Sequence, residues 1–371
     1  MEKRFPRLVA WALLAAGCAL PTSSPSAKGE AFRGVLLETD AAWPGAFGSP
    51  GALRNAGYNA VAIPVREQSS AEAVSKLSRE IENAGLEAWL WIPVSRNPDL
   101  ASRKPEWVGG MGAHEDWRRR FPSAPTPGPG ERVGVHPWTP IRYEEVFADR
   151  LEHVTDFVRR AGARRVFLSA LQAVPSACGC GNDQCRWEAD YAMENGPRQV
   201  EGSPSALFLS RLRNRLPDVR WVPVLVTECE EEDGPGRATG RCGSVECFQG
   251  LCWEAWSREI DPVVREDDGP VGLLLASKTL GREGSRPWVR RAFELARDKP
   301  ASHGREGIPA RRVYAIVEGG ARPEGDRPAI EEALEAGAAG VLVTPAPIDE
   351  SWEPRLVPAA AGASRGTGGH R

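Results

Sequence analysis

From residue 33 the chain alternates short apolar runs with stretches of helical period. The runs Arg33–Glu38, Tyr58–Val65, Glu87–Val94, Arg165–Ala170, Arg220–Val226, Val271–Ala276, Arg312–Val317 and Gly340–Thr344 are each five to eight residues long and nearly continuous in apolar character. Runs of that length and texture suit parallel strands covered on both faces. Between them, Ala71–Ala84 sets Val74, Leu77 and Ile81 on one stripe, and Glu144–Ala161 does the same with Phe147, Leu151, Val154 and Phe157. Ser203-Pro204 is an N-cap and first-turn pair opening a helix to Leu216, and Trp288–Arg297 and Ala329–Ala336 repeat the helical pattern. Four phrases, AGYNAV from Ala56, AGLEAW from Ala84, AGARRV from Ala161 and AGAAGV from Ala336, read as helix end, left-handed Gly, short turn and next strand.

Eight strands with helical crossovers predict a single-domain (β/α)8 barrel over residues 31–357. An open doubly wound sheet is the alternative, but no Gly-rich phosphate loop follows the first strand. The eighth helix reads as short or missing, and residues 358–371 as a disordered tail.

The N-terminus sets the compartment. Lys3, Arg4 and Arg7 precede the apolar segment Leu8–Leu14, which is too short to span a bilayer, and small residues lead to Cys18. LAAGC resembles a lipobox, so residues 1–18 are expected to be a lipoprotein signal, with Cys18 lipidated and residues 19–30 a flexible tether. An ordinary cleaved signal is the other reading. Export to the cell envelope follows from either, with the anchor at the inner or the outer membrane.

Composition adds what the chain works on. The 371 residues carry a net charge of −3, which gives no field for nucleic acid. In such barrels chemistry lies on the loops after the strands. These are long here: about 50 residues after the third strand (Ser95–Tyr143), about 30 after the fourth and about 25 after the fifth. Thirteen Trp stand against four Tyr, and Trp43, Trp107, Trp138 and Trp187 fall in or beside these loops, with Trp91 in the third strand. An indole offers a flat apolar face and one N–H, which suits a sugar ring; packing loops onto the barrel is its other use.

Carboxylates collect at strand ends. Glu38 and Asp40 follow the first strand, Glu228 the fifth and Glu318 the seventh, the last before Gly319-Gly320. Glycosidic hydrolysis needs two carboxyl groups across the scissile bond, and Glu228 with Glu318 is the expected catalytic pair, with Asp40 or Glu38 as a substitute. Arg96 and Lys278 follow the third and sixth strands as candidate ligand contacts or ion-pair partners; a desolvated Lys278 could also form a Schiff base.

Beyond Cys18, the cysteines are Cys178, Cys180 and Cys185 after the fourth strand and Cys229, Cys242, Cys247 and Cys252 after the fifth. In an oxidising compartment two or three disulfides stapling the two loops are expected. A thiolate zinc site is the rival, but the spacings lack C-x2-C knuckles and no His is near. The five His show no paired motif for a metal-dependent hydrolase. No cofactor or metal is expected, and the chain is expected to be a monomer.

Three stretches carry a resemblance. RGVLLETD from Arg33, AGLEAWLWIPVSRNPDLASRKPEWV from Ala84 with its Lys104–Val108 element, and CGCGNDQCRW from Cys178 resemble the glycoside hydrolase-like (family 10-like) barrels of bacterial lipoproteins over residues 33–190. The resemblance implies a barrel and a carbohydrate ligand. It does not carry over the catalytic residues: retaining barrels of the better-known kind place Asn-Glu after strand four, where this chain has Ser169-Ala170-Leu171-Gln172. The expected activity is hydrolysis of an envelope glycan. The alternative is a non-catalytic glycan-binding lipoprotein on a degenerate barrel.

Overall fold

The computed structural model describes residues 31–40, 49–110, 125–171, 198–226, 262–263, 269–275, 308–319, 323–344 and 353–359. The chain divides into two compact units, Met1–Glu30 and Ala31–Arg371. The first unit, holding the expected signal, Cys18 and tether, lies outside the described residues. Among the described residues no helix is long and apolar enough to cross a membrane.

Within the second unit the described residues form a (β/α)8 barrel. Strands β1 (Phe32–Leu36), β2 (Ala60–Pro64), β3 (Glu87–Pro93), β5 (Arg165–Ser169), β6 (Arg220–Val226), β7 (Val271–Leu275), β8 (Val313–Glu318) and β9 (Gly340–Thr344) close in that order, every pair parallel, with β1 on β9. These are the eight strands read from the sequence. The described crossover helices are α1 (Pro50–Asn55), α2 (Ala71–Asn83), α4 (Glu144–Ala161), α5 (Pro204–Arg215) and α6 (Pro323–Glu335), while α3 (Pro98–Arg103) lies in the excursion after β3. The side chain of Ser203 caps α5, and Gly57, Gly85, Gly162 and Gly337 all take positive φ after their helices, as the repeated AG phrase predicts.

Strand alternation sorts the apolar residues into two layers. Inside the barrel stand Leu36, Ala62, Trp89, Trp91, Phe167, Val224, Tyr314, Ile316 and Leu342. The intervening positions, such as Val35, Ile63, Leu90, Val166, Ala315 and Val341, pack outward with helix residues Val74, Ile81, Val154 and Phe208. The interior is filled rather than hollow. Phe32 meets Trp89 edge-on at 5.3 Å, and Trp89 lies 4.8 Å from Phe167. Arg220 sits 5.6 Å from the rings of both Trp89 and Tyr314 and donates to the Tyr314 hydroxyl at 2.7 Å. Such bulk on one side requires small residues on the other: a Cβ at Gly34 would lie 2.6 Å from Phe32.

The excursion after β3, read above as loop, contains structure. A 3-10 turn (Pro105–Trp107) follows α3, and β4 (Glu131–His136) pairs antiparallel with β10 (Glu353–Pro358). Val357 of β10 packs with Ala101 and Val108, a small apolar seam apart from the barrel. This corrects the expected tail boundary: Pro358 is a strand residue, in register with Glu131, and the Ala359 amide donates to the Gly130 carbonyl at 3.0 Å. Among the described residues, β10 rather than a helix follows β9.

Candidate functional site

A cavity of about 400 Å³ opens over the C-terminal ends of β2, β3 and β5, the barrel face where chemistry is expected. Trp91, Pro64 and Pro93 give its apolar surface, and Ser169 ends β5 at its wall. The polar wall comes from the turn after β2 (Arg66, Glu67), the residues after β3 (Arg96, Asn97) and the outward helix α4 (Arg150, His153).

Glu67 organises that wall. Its Oε1 accepts from Arg103 Nη2 at 2.7 Å; its Oε2 accepts from Arg150 Nη1 at 2.8 Å and from Asn97 Nδ2 at 2.9 Å. His153 Nε2 stands 3.7 Å from the same Oε2. One carboxylate therefore joins the turn after β2 to α3 and to α4. Asn97 has a second task, since its Oδ1 caps α3 by accepting from the Leu100 amide. Burial works to raise the Glu67 pKa, but the Arg150 charge, the Asn97 amide and the remaining partners outweigh it and hold the carboxyl below its ordinary range. His153 is shifted down, first by burial and then by Arg150, against the opposing pull of Glu67 and Asp149. At neutral pH the wall thus presents an ionised Glu67 with both oxygens engaged and a neutral His153.

Backbone strain lies beside the cavity. Ala170, directly after Ser169, is buried and takes φ 46°, the left-handed region an L-residue adopts at a cost of about 1–2 kcal/mol. Its carbonyl accepts from the Ser95 amide at 2.9 Å, locking the end of β5 to the residues after β3. The Ser95 hydroxyl is itself buried without a hydrogen-bond partner.

The residues singled out in the sequence distribute unevenly. Trp91 and Arg96 line the cavity, though Trp91 is only 5% exposed, packs 5.9 Å from Phe167 inside the barrel and shows the cavity an edge and not a face. Asp40 is half-buried beside it, accepting from the Ser69 hydroxyl, whose oxygen in turn accepts from the Arg66 amide at 2.8 Å. Glu38 is exposed after β1. Trp138 is corrected: it is 1% exposed, buried where the excursion after β3 folds back on itself, and offers no face to a ligand. Trp107 is also spoken for, with Lys104 Nζ 5.2 Å over its ring, its Nε1 donating to Glu145 at 3.1 Å and its ring against the outer core. Trp43, Trp187, Glu228, Lys278 and the seven cysteines Cys178, Cys180, Cys185, Cys229, Cys242, Cys247 and Cys252 lie outside the described residues, as does the side chain of Glu318, which closes β8 in register with Thr344. No group of three metal-ligating side chains occurs among the described residues.

Sequence reasoning passed over Glu67, Asn97, Arg150 and His153. Two signals were present. Glu67 follows its strand as Glu228 does, and Arg150 falls on the buried i, i+4 stripe of Val146, Val154 and Val158, a position where a charge needs a partner.

No protein-family model matches the chain, and no curated protein sequence matches it. Among solved structures it is similar to a D-allulose 3-epimerase from Methylomonas sp., at 11% identity over 85% of each chain with a TM-score of 0.39. It is similar to the catalytic domain of a hyperthermophilic chitinase from Pyrococcus furiosus, at 8% identity over 85% of this chain and 84% of that one, TM-score 0.44. A third is the spore cortex-lytic enzyme of Bacillus megaterium QM B1551, at 12% identity over 78% and 50%, TM-score 0.37. At such identities the likeness is one of fold alone.

Proposed function

We propose that this protein is a glycoside hydrolase-like barrel of the cell envelope, exported and lipid-anchored through Cys18, that binds a glycan at the mouth of its barrel. The observation that carries the proposal is the cavity itself: an indole and two proline rings against a wall of Arg, Glu, Asn, His and Ser, at strand C-termini and of a size for a sugar ring. Pro64 and Pro93, with the edge of Trp91 that reaches the cavity, take the apolar face of the ring, and the polar wall takes its hydroxyls. Hydrolysis is assigned to Glu228 and Glu318, one protonating the glycosidic oxygen while the other acts as nucleophile or activates water, with Asp40 as the substitute.

The test is twofold. Envelope polysaccharides are offered to the full chain, and retention and release of reducing ends are measured. Arg66→Ala, which removes an exposed lining side chain and leaves the barrel interior untouched, is expected to weaken retention about ten-fold. Glu228→Gln and Glu318→Gln are each expected to cut turnover by at least about 10²-fold. Retention unchanged by Arg66→Ala contradicts the placement of the sugar.

One observation favours a second reading, a non-catalytic glycan-binding lipoprotein. Of the two carboxylates that line the cavity among the described residues, Asp99 is exposed on α3, and Glu67 is held ionised with both oxygens engaged, so it has no proton to give a leaving group. On that reading the Gln variants at 228 and 318 leave binding intact and the wild type shows no turnover.

A further inference from the structure

Three side chains converge on one oxygen of Glu67, and only two of them are bonded to it. A carboxylate oxygen offers about two lone-pair sites, and those of Oε2 are filled by Arg150 Nη1 at 2.8 Å and Asn97 Nδ2 at 2.9 Å. His153 Nε2 stands 3.7 Å from the same oxygen, beyond hydrogen-bond reach, on a side chain 28% exposed at the cavity wall. The two donors in place are not held equally. Arg150 is buried, and leaving Glu67 would strand its charge. Asn97 carries no charge, so its amide is the donor held less strongly.

The charges acting on His153 are Arg150 and Asp149 of its own helix, Glu67 of the turn after β2 and Arg103 of α3. Asp99, also on α3, lines the same cavity. Of the helices packed on α4, α2 brings Glu72, paired with Arg160, and α5 brings Arg215, paired with Glu152. His136 is the other histidine bearing on this wall, since its neighbour Pro137 accepts from the Asn97 amide at 3.3 Å. Burial and Arg150 keep His153 neutral at pH 7, and Glu67 holds its charge to below its ordinary range. On mild acidification the proton therefore goes to His153 while Glu67 is still an anion.

We propose that His153 is a proton-operated latch: on gaining a proton it takes the place of the Asn97 amide on Glu67 Oε2 and releases the first turn of α3 from the cavity wall. The imidazolium moves in to the about 2.7–2.9 Å of a charge-assisted hydrogen bond, and one donor must leave a full oxygen. Asn97 is also the cap of α3, its Oδ1 accepting from the Leu100 amide at 2.9 Å, so moving its side chain disturbs both contacts at once. Arg103 keeps the far end of α3 on Glu67 Oε1, which leaves the first turn, with Pro98 and Asp99 of the cavity lining, as the part that is freed. The cavity is closed along this edge at neutral pH and opens there in mild acid.

The test follows the full chain, isotope-labelled, by NMR from about pH 7.5 to about pH 5. The His153 ring signals and the Leu100 amide are expected to shift with one midpoint. Exchange of the Leu100 amide, corrected for its intrinsic pH dependence, is expected to rise about five-fold or more, the weight of one N-cap. In His153→Gln both Leu100 responses are expected to vanish, and the unfolding midpoint at neutral pH checks the variant's fold. His136→Gln is expected to leave them intact. A Leu100 amide that keeps its shift and exchange through the His153 titration overturns the latch, as does a His153 ring that stays neutral over the whole range. A Leu100 response that survives in His153→Gln, or disappears in His136→Gln, overturns it too. No readout involves a ligand, so the latch stands or falls apart from the glycan reading.

Discussion

Replacing Glu67 by Ala removes the one anion that joins the turn after β2 to α3 and α4. Its main partner, Arg150, has a side chain 3% exposed, and Glu67 itself is 17% exposed. Taking one partner from a buried pair leaves an uncompensated charge in low dielectric, at a cost of about 3–5 kcal/mol. The Arg103 contact adds little, because Arg103 is 59% exposed and such pairs contribute about 0–1 kcal/mol. Glu67 keeps some contact with water, which puts the expected loss near the lower end, about 3 kcal/mol. Urea unfolding of the purified protein measures it. The double variant Glu67→Gln with Arg150→Met discriminates the cause: with no charge left to strand, it is expected to recover more than half of the loss. A loss below about 1 kcal/mol, or a double variant no better than Glu67→Ala alone, refutes the reasoning, since the network would then behave as a surface ion pair.

The pH dependence carries the same sign from two groups. Glu67 has a lowered folded-state pKa, so its contribution is present above its unfolded value of about 4.3 and is lost as pH falls through the folded value. His153 is also lowered, so the unfolded chain binds the extra proton first and stability begins to fall below about pH 6.5. Unfolding midpoints followed from about pH 7 to about pH 4 should decline throughout, and His153→Gln should flatten the upper part of the decline. Ser95→Ala removes a buried hydroxyl that has no partner and is expected to be neutral or stabilising by about 1 kcal/mol in the same assay. Ala170→Gly, which relieves the left-handed backbone, should be near neutral in thermal unfolding, whereas Ala170→Val should cost about 2 kcal/mol or more.

The barrel was legible because each of its strands is a continuous apolar run and each described crossover has helical period, so local pattern and tertiary burial agree. The β4–β10 pair was not. It joins residues more than two hundred positions apart, and Pro354 and Pro358 interrupt any strand signal in β10, which tolerates them in a two-stranded ribbon. The cue in β4, the alternating ERVGVH directly after Gly128-Pro129-Gly130, is short and sat inside what reads as one long loop. That hidden pairing also explains the tryptophans. Residues counted as ligand platforms for lying in a loop, Trp138 and Trp107, were drawn into packing once the loop folded on itself. Trp91 is packed too, 5% exposed, because strand parity places it with Trp89 inside the barrel, and only its position one step nearer the mouth brings its edge to the cavity. The Glu67 cluster depends on three segments meeting, and its two cues, a Glu just past β2 and an Arg on an apolar stripe, do not say that those segments meet.

The most direct test of the account is a crystal structure of the protein with an oligosaccharide bound. The account predicts a sugar ring over Pro64, Pro93 and the edge of Trp91 in the cavity over β2, β3 and β5. It also predicts the carboxyl groups of Glu228 and Glu318 about 5–5.5 Å or about 6.5–9.5 Å apart across a glycosidic bond if the barrel is catalytic. A sugar bound away from Trp91 with this cavity empty would contradict it.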